Sequence, residues 1–149
     1  MKKEFANDSQ SPLLYRLGVL FCLYFSQGVP FGFFSHALPP LLRSYGVNLE
    51  VIGIVSALAA PWALKFMWAP VLDRFGSIRY GFRKSWIIPL QGCFVGTLVF
   101  IAMIDPEGFR DGSYHMLFFL LFLSNLIAAT QDIATDGMAV EILSPAERG

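Results

Sequence analysis

Four long apolar runs account for most of the chain, and short polar stretches separate them. The runs extend over residues 13–42, 49–72, 86–104 and 114–143. A helix that crosses a lipid bilayer uses about 20 predominantly apolar residues, and each run is close to that length or exceeds it. The pattern therefore predicts an all-α integral membrane protein, with one transmembrane region of four helices over residues 13–143.

Polar segments flank this region at both ends. Residues 1–12 form an amino-terminal segment in which Ser11-Pro12 gives an N-cap followed by a proline at the first helical position. At the other end, Ser144-Pro145-Ala146-Glu147 has the serine, proline and glutamate of a capping box, which predicts the start of a new helix. We therefore expect residues 144–149 to begin a cytoplasmic loop or helix of a longer protein.

The composition narrows the class of protein and of partner. Hydrophobic residues make up 55% of the chain and charged residues 15%, which excludes a disordered segment and most soluble domains. The formal net charge is zero, so we expect no nucleic-acid partner. The long apolar runs make the lipid bilayer the expected partner. Cys22 and Cys93 lie far apart in apolar runs, without the spacing of a metal or redox site. We expect no cofactor and no metal.

Basic residues between the runs predict the orientation, because Lys and Arg in short loops stay on the cytoplasmic side. The first and third loops carry one basic residue each, Arg43 and Arg110. The second loop and the amino terminus carry more, namely Arg74, Arg79, Arg83, Lys84, Lys2, Lys3 and Arg16. Both termini are therefore predicted to be cytoplasmic.

Three ionisable residues fall inside the predicted bilayer, where a charge at the helix centre costs about 2.5–3.5 kcal/mol. They are Lys65, Asp132 and Asp136. The two aspartates are four residues apart and share one face of the fourth helix, beside Gln131 and Thr135. At about 1.5 Å per residue, Lys65 and Asp136 lie at similar depths from the cytoplasmic ends of their helices. We expect one buried polar cluster between the second and fourth helices.

Two interpretations of this cluster remain open. Lys65 and an aspartate can form an ion pair that holds two helices together, or the group can belong to an ion or proton pathway. Ser26 and Gln27 allow a similar choice, because they precede Pro30, which removes a backbone hydrogen bond. The first helix is there either kinked only or opened toward a polar cavity.

An enzyme would need a nucleophile with a base, or carboxylates with metal-ligating partners. His36 and His115 fall at outer helix ends, away from any candidate serine or cysteine. Asp132 and Asp136 could hold Mg²⁺ as in membrane phosphotransferases, but no arginine follows them in the fourth run. We therefore expect no enzymatic activity.

Several blocks of sequence resemble one transporter family. Residues 69–76, with Asp73, Arg74 and Gly76, and the later pair Arg83-Lys84 resemble the signature between the second and third helices of major facilitator transporters. Ala69 replaces the usual glycine, and the insertion 77–82 delays the basic pair. Residues 27–30, 62–70, 129–137 and 146–149 resemble the AmpG muropeptide permeases and their acetyl-coenzyme A transporter relatives.

This resemblance implies that the chain forms the first four helices of a major facilitator fold, whose remaining carboxy-terminal helices would be its partners. It implies a proton-coupled permease of the bacterial inner membrane, which imports anhydromuropeptides or a similar large anionic solute. The alternatives are an acetyl-coenzyme A-type transporter and a self-contained small four-helix membrane protein that acts as an oligomer.

The resemblance also implies roles for particular residues. A substrate or proton pathway would involve residues of the first and fourth helices together with Lys65, namely Ser26, Gln27, Gln131, Asp132 and Asp136. A gating motif at the cytoplasmic side would consist of Asp73, Arg74, Gly76, Arg83 and Lys84, and Asp73 and Arg74 would latch the cytoplasmic gate.

The predicted topology can be tested with reporter fusions after Lys84 and after Gly108. Because the second loop is basic and the third is acidic, we expect the two reporters to lie on opposite sides of the membrane. Alkaline phosphatase and green fluorescent protein activities distinguish the two sides. Reporters on the same side would contradict the four-helix topology.

Overall fold

The computed structural model describes residues 12–77, 81–105 and 115–143, apart from the side chain of Ser56. Several features used above lie outside these ranges: the amino-terminal segment with its Ser11 cap, Arg79, the third loop with Arg110, and the capping box at Ser144. Within them, four helical stretches are long and apolar enough to cross a membrane: Leu13–Ser44, Leu49–Met67, Lys84–Ala102 and His115–Ile142. We call them the first to fourth crossings. They confirm the all-α membrane fold class.

The first crossing contains α1 (Leu13–Gly32), a π-helical turn (Phe33–Ala37) and α2 (Leu38–Ser44). Two prolines explain the irregular turn, because Pro39 and Pro40 cannot donate to the carbonyls of the residues four positions before them. The π-helical hydrogen bond from the Leu38 amide to the Phe33 carbonyl takes up the mismatch. The helix therefore continues to Ser44, two residues beyond the end of the predicted run.

The second crossing is divided into α3 (Leu49–Ala57), α4 (Ala60–Leu64) and a 3₁₀ turn (Lys65–Met67), and α5 (Ala69–Arg74) follows it. Pro61 and Pro70 lie in the first turns of α4 and α5, where a missing amide proton is tolerated. The predicted run over residues 49–72 is thus a chain of short helical pieces, and Lys65 begins the 3₁₀ turn between two of them.

A glycine ends the first crossing. Gly46 has φ +83°, and its amide donates to the Arg43 carbonyl at 3.0 Å, while the Val47 amide donates to the Leu42 carbonyl at 3.1 Å. These two bonds form a Schellman motif, in which glycine is favoured because it adopts positive φ without strain. Val47 and Leu42 both belong to the apolar core.

The fourth crossing, α7 (His115–Ile142), lies at the centre of the bundle. In its most apolar stretch 56% of residues are buried, against 12–17% in the other three crossings. All three apolar clusters include side chains of α7, such as Leu121, Ala128 and Ala134. The third crossing, α6 (Lys84–Ala102), and the first two crossings therefore pack around α7.

The Gly46 turn gives a test of the fold. We expect Gly46→Ala to lower the stability of the purified protein by about 1–2 kcal/mol, because alanine is strained in the left-handed region. Gly53→Ala in α3 is the matched control, since a new methyl group there meets nothing within 4 Å and φ is not positive. Thermal unfolding in detergent measures both, and equal midpoints for the two variants would contradict this view of the turn.

Candidate functional site

Lys65 joins the second crossing to the fourth. Its ammonium forms an ion pair with the Asp132 carboxylate and lies 3.9 Å from Oδ2 of Asp136. The Tyr24 hydroxyl of α1 donates a hydrogen bond to Oδ1 of Asp136 at 2.6 Å. We call these four side chains the Lys65 cluster. They connect three of the four crossings through charged and hydrogen-bonded contacts.

The members of the Lys65 cluster differ in exposure. The Asp132 side chain is 10% exposed, the Lys65 side chain 33% and the Asp136 side chain 53%. The structure thus brings the three predicted ionisable residues together, but only Asp132 is buried. Asp136 lies one turn further along α7, and within the described part of the chain about half of its side chain is exposed.

The Lys65 cluster contains one ammonium group and two carboxylates. Its net charge is therefore minus one when both aspartates are ionised. The Lys65 ammonium occupies the space between the carboxylates that a Mg²⁺ ion would need. Within residues 12–77, 81–105 and 115–143, no group of three or more His, Cys, Asp or Glu side chains is placed to hold a metal ion.

A cavity of about 260 Å³ lies beside the Lys65 cluster, between α1, α4 and α7. We call it the aromatic cavity, and its lining is Tyr24, Gln27, Gly28, Phe31, Trp62 and Asp132. The Phe31 and Trp62 rings meet edge to face, with centroids 5.5 Å apart. The amide of Gln27 donates to Thr135 Oγ1 at 3.2 Å, which fixes Gln27 against α7.

Two residues assigned to the pathway, Ser26 and Gln131, do not line the aromatic cavity. The Ser26 hydroxyl donates to the Leu23 carbonyl of its own helix at 2.8 Å, and Ser26 does not line the aromatic cavity. Gln131 is buried and donates to Oε1 of Gln91 in α6 at 2.6 Å. Successive residues on a helix are about 100° apart, so Gln131 faces the third crossing when Asp132 faces the second.

Arg83 lies in the second loop, at one end of the helical bundle, and forms ion pairs with two carboxylates. Its Nη1 donates to Asp73 Oδ1 at 2.6 Å, and its Nε donates to Glu141 Oε1 at 2.9 Å. Burial lowers the pKa of the Arg83 guanidinium, but the bonds to Asp73 and Glu141 raise it, and the net result is a pKa above the ordinary value. Arg83 therefore remains a cation at physiological pH and bridges α5 to α7.

The other motif residues have different positions. Arg74 is exposed at the end of α5, and Lys84 is exposed at the start of α6. Asp73 forms an ion pair with Arg83. Gly76 allows the ring of Phe82 to approach closely, since a methyl group there would lie 2.6 Å from Phe82 Cδ2.

Gly137 of α7 makes room for Arg83. A methyl group at this position would lie 2.6 Å from Nε of Arg83, much closer than a carbon atom can approach. The guanidinium is the flexible end of a long side chain, but the two carboxylates fix its position. A side chain at Gly137 would therefore push the guanidinium out of the position in which it bonds both carboxylates.

A second cavity, of about 540 Å³, separates the Lys65 cluster from the Arg83 bridge. We call it the charged cavity. Lys65 and Asp136 line one part of it, and Asp73, Arg83 and Glu141 line another. The aromatic cavity, the Lys65 cluster and the charged cavity thus follow one another along the face that α7 shares with the second crossing.

Sequence reasoning missed Tyr24, Glu141 and the aromatic wall. The sequence pattern assigns no role to Glu141, which accepts a hydrogen bond from Arg83. Its spacing of four residues from Gly137 is the signal that could have found it, because both then lie on one face of α7. In the sequence, Trp62 is one apolar residue within a long apolar run. Nothing in that pattern indicates that it borders a cavity.

Comparison with known proteins identifies the family. The family described as acetyl-coenzyme A transporter 1 matches residues 16–110, which is well over half of the chain. The chain belongs to the acetyl-coenzyme A transporter 1 family. This confirms the resemblance to the acetyl-coenzyme A transporter relatives. The four crossings agree with a multi-pass membrane protein of a transporter family.

Three individual proteins are also similar in sequence to this member of the acetyl-coenzyme A transporter 1 family. An uncharacterised protein of Haemophilus influenzae is 33% identical over 96% of the chain and 33% of its own length. An uncharacterised membrane protein of Saccharomyces cerevisiae is 34% identical over 85% of the chain and 26% of its own length. The anhydromuropeptide permease of Escherichia coli K12 is 25% identical over the whole chain and 29% of its own length.

The chain thus spans about a third of the length of these relatives. No solved structure matches it significantly.

The contact between Gly137 and Arg83 can be tested by a double-mutant cycle. We expect Gly137→Ala to lower stability by about 1–2 kcal/mol, because the new methyl group displaces the guanidinium from both carboxylates. In an Arg83→Ala background the same change should be neutral or stabilising, since alanine is the better helix former. Gly96→Ala in α6, which meets nothing within 4 Å, is the control. Equal costs in the two backgrounds would contradict the contact.

Proposed function

We propose that this chain is the amino-terminal part of a proton-coupled permease with a major facilitator fold, located in the bacterial inner membrane. The single observation that supports proton coupling is the unequal charge of the Lys65 cluster, which has two carboxylates for one ammonium. A single proton makes the cluster neutral. Intramembrane ionisable residues of this kind mark ion and proton pathways in transporters.

Asp136 is the proposed proton carrier. Asp132 is buried in an ion pair with Lys65, and loss of either partner's charge would leave the other charge unpaired. Asp136 lies 3.9 Å from the ammonium, is more exposed, and lines the charged cavity through which protons can reach it. Its hydrogen bond from Tyr24 holds the carboxylate in place on the α1 side.

The Arg83 bridge is the proposed cytoplasmic latch. The basic residues of the amino terminus and the second loop support a cytoplasmic position for both termini and for this loop. The Arg83 bridge ties α5 to α7 at that end. Opening the solute pathway toward the cytoplasm would require these two ion pairs to break. Asp73, Arg83 and Glu141 are therefore assigned to the gate, and Gly137 to its packing.

For the solute we propose an anhydromuropeptide or a similar large anionic compound, imported for cell-wall recycling. The support is the E. coli relative described as an anhydromuropeptide permease, which matches the whole chain. A second candidate is acetyl-coenzyme A, favoured by the family description. Segments that correspond to the unmatched two thirds of the relatives' length would supply the rest of the pathway.

Neutralising Asp136 tests the coupling. We expect Asp136→Asn, in the protein expressed from its complete gene, to abolish pH-driven accumulation of labelled anhydromuropeptide while solute exchange across the membrane continues. Asparagine keeps the shape of the side chain and its bond to Tyr24 but cannot carry the proton. Glu50→Gln, at the exposed first turn of α3, is the control with the same chemical change. Normal accumulation in Asp136→Asn would exclude Asp136 as the carrier.

Lys65 and Asp132 require a separate measurement. We expect Lys65→Ala to lower the amount of folded protein in the membrane, because it leaves a buried carboxylate unpaired. Lys65→Ala combined with Asp132→Asn should restore that amount. If the double variant is no more abundant than the single one, the two residues do not stabilise the fold as a pair.

A further inference from the structure

The two oxygens of the Asp136 carboxylate face different surroundings. Oδ1 accepts a hydrogen bond from the Tyr24 hydroxyl of α1 at 2.6 Å. Oδ2 lies 3.9 Å from the Lys65 ammonium, and both residues line the charged cavity. The bond from Tyr24 therefore turns one oxygen toward α1 and leaves the other on the side of Lys65 and the charged cavity.

This arrangement assigns the proton of a neutral Asp136 to Oδ2. A tyrosine hydroxyl has one proton to donate, and Tyr24 donates it to Oδ1. When a proton converts the carboxylate into an acid, Oδ1 remains a carbonyl oxygen that accepts this bond, and Oδ2 becomes the O–H group. Release of that proton into the charged cavity restores the carboxylate.

The backbone of α7 competes for the same O–H group. Three polar side chains of this helix donate to the carbonyl four residues before them: Asn125 to Leu121 at 3.0 Å, Thr130 to Leu126 at 2.7 Å, and Thr135 to Gln131 at 3.0 Å. A protonated aspartate is also a short side chain with a donor, and it can make the same bond to the Asp132 carbonyl. Such a bond would turn the proton toward the helix and away from the charged cavity.

The charged groups around Asp136 do not prevent this rotation. Lys65 forms its closer ion pair with Asp132, and its distance of 3.9 Å from Asp136 is too long for a hydrogen bond. The other charged residues that line the charged cavity belong to the Arg83 bridge, namely Asp73, Arg83 and Glu141. Among the described residues, it is the Tyr24 hydroxyl that fixes the rotation of the Asp136 carboxyl group.

We propose that Tyr24 is a positioning residue for proton release. It holds the protonated Asp136 carboxyl group toward α1 and away from the backbone of α7, so that the proton on Oδ2 stays at the charged cavity. This inference rests on the proton-carrying role of Asp136 proposed above. It assigns Tyr24 to one step of the cycle, the loss of the proton, and not to the binding of solute.

Accumulation and exchange of solute separate this step from the others. In the proposed cycle, net accumulation needs the proton to leave Asp136, whereas exchange of internal for external solute does not. In the protein expressed from its complete gene, we expect Tyr24→Phe to slow pH-driven accumulation of labelled anhydromuropeptide about tenfold, the rate equivalent of one such hydrogen bond. Exchange should continue at the wild-type rate. The ratio of the two rates does not depend on the amount of folded protein.

Tyr15→Phe is the matched control, with the same chemical change on the same helix. Tyr15 is exposed and does not belong to the Lys65 cluster, so we expect wild-type rates of accumulation and exchange. Tyr24→Phe combined with Asp136→Asn should behave as Asp136→Asn alone, because no proton then remains to be positioned.

Infrared difference spectra between acidic and alkaline buffer measure the hydrogen bond without transport. The C=O stretching band of the protonated Asp136 is the one that Asp136→Asn removes from the spectrum of the purified protein. We expect Tyr24→Phe to move this band to a higher wavenumber, because the carbonyl oxygen loses a donor. Tyr15→Phe should leave the band in place.

Two results would overturn the proposal: an Asp136 band that Tyr24→Phe does not move, or accumulation and exchange rates that are both unchanged or both lowered by the same factor. Failure of the proposed function gives a different result. Normal accumulation in Asp136→Asn excludes Asp136 as the carrier, whereas normal accumulation in Tyr24→Phe alone refutes only the role of Tyr24. If the wild type accumulates acetyl-coenzyme A instead, the same two rates are compared with that solute.

Discussion

Hydrogen bonding of polar side chains to α7 is the interaction on which the rest of the bundle depends. A polar group in the hydrocarbon region finds no water, so it needs a partner within the protein. Each of the other three crossings meets this need with a side-chain contact to α7: Gln27 with Thr135, Trp62 with Asn125, and Ser124 with Thr97. The helices are thereby fixed in rotation as well as in distance.

The same constraint explains why the charged groups lie where they do. Trp68 donates to Thr130 one turn from the ion pair of Lys65 and Asp132, and Trp62 presents its ring to the Lys65 ammonium at 5.7 Å. The 3₁₀ turn at Lys65 interrupts the helix at that level. Irregular backbone in a membrane is tolerated where protein or a polar cavity covers it, and here the charged cavity lies alongside.

Much of the fold could be predicted from the sequence, because apolar runs and charge placement depend on few variables. The approach of Lys65 to the two aspartates follows from helix spacing and from the matched depth of Lys65 and Asp136. The partner of Asp73 could not be predicted in this way, since it depends on the path of the second loop, where Gly81 has φ +85° and Phe82 packs on Gly76. The direction of Gln131 was equally inaccessible, because it depends on which neighbouring helix packs on which face of α7.

The unequal charge of the Lys65 cluster has an electrical consequence. In the proposed cycle the loaded cluster is neutral, so the membrane potential does not act on it during the inward step. The empty cluster carries one negative charge, and a potential of 100 mV, negative inside, is worth about 2.3 kcal/mol per charge across the full membrane. For the cluster itself, the potential therefore favours the return of the empty carrier toward the outer side, whereas the charge of an anionic solute is felt in the inward step.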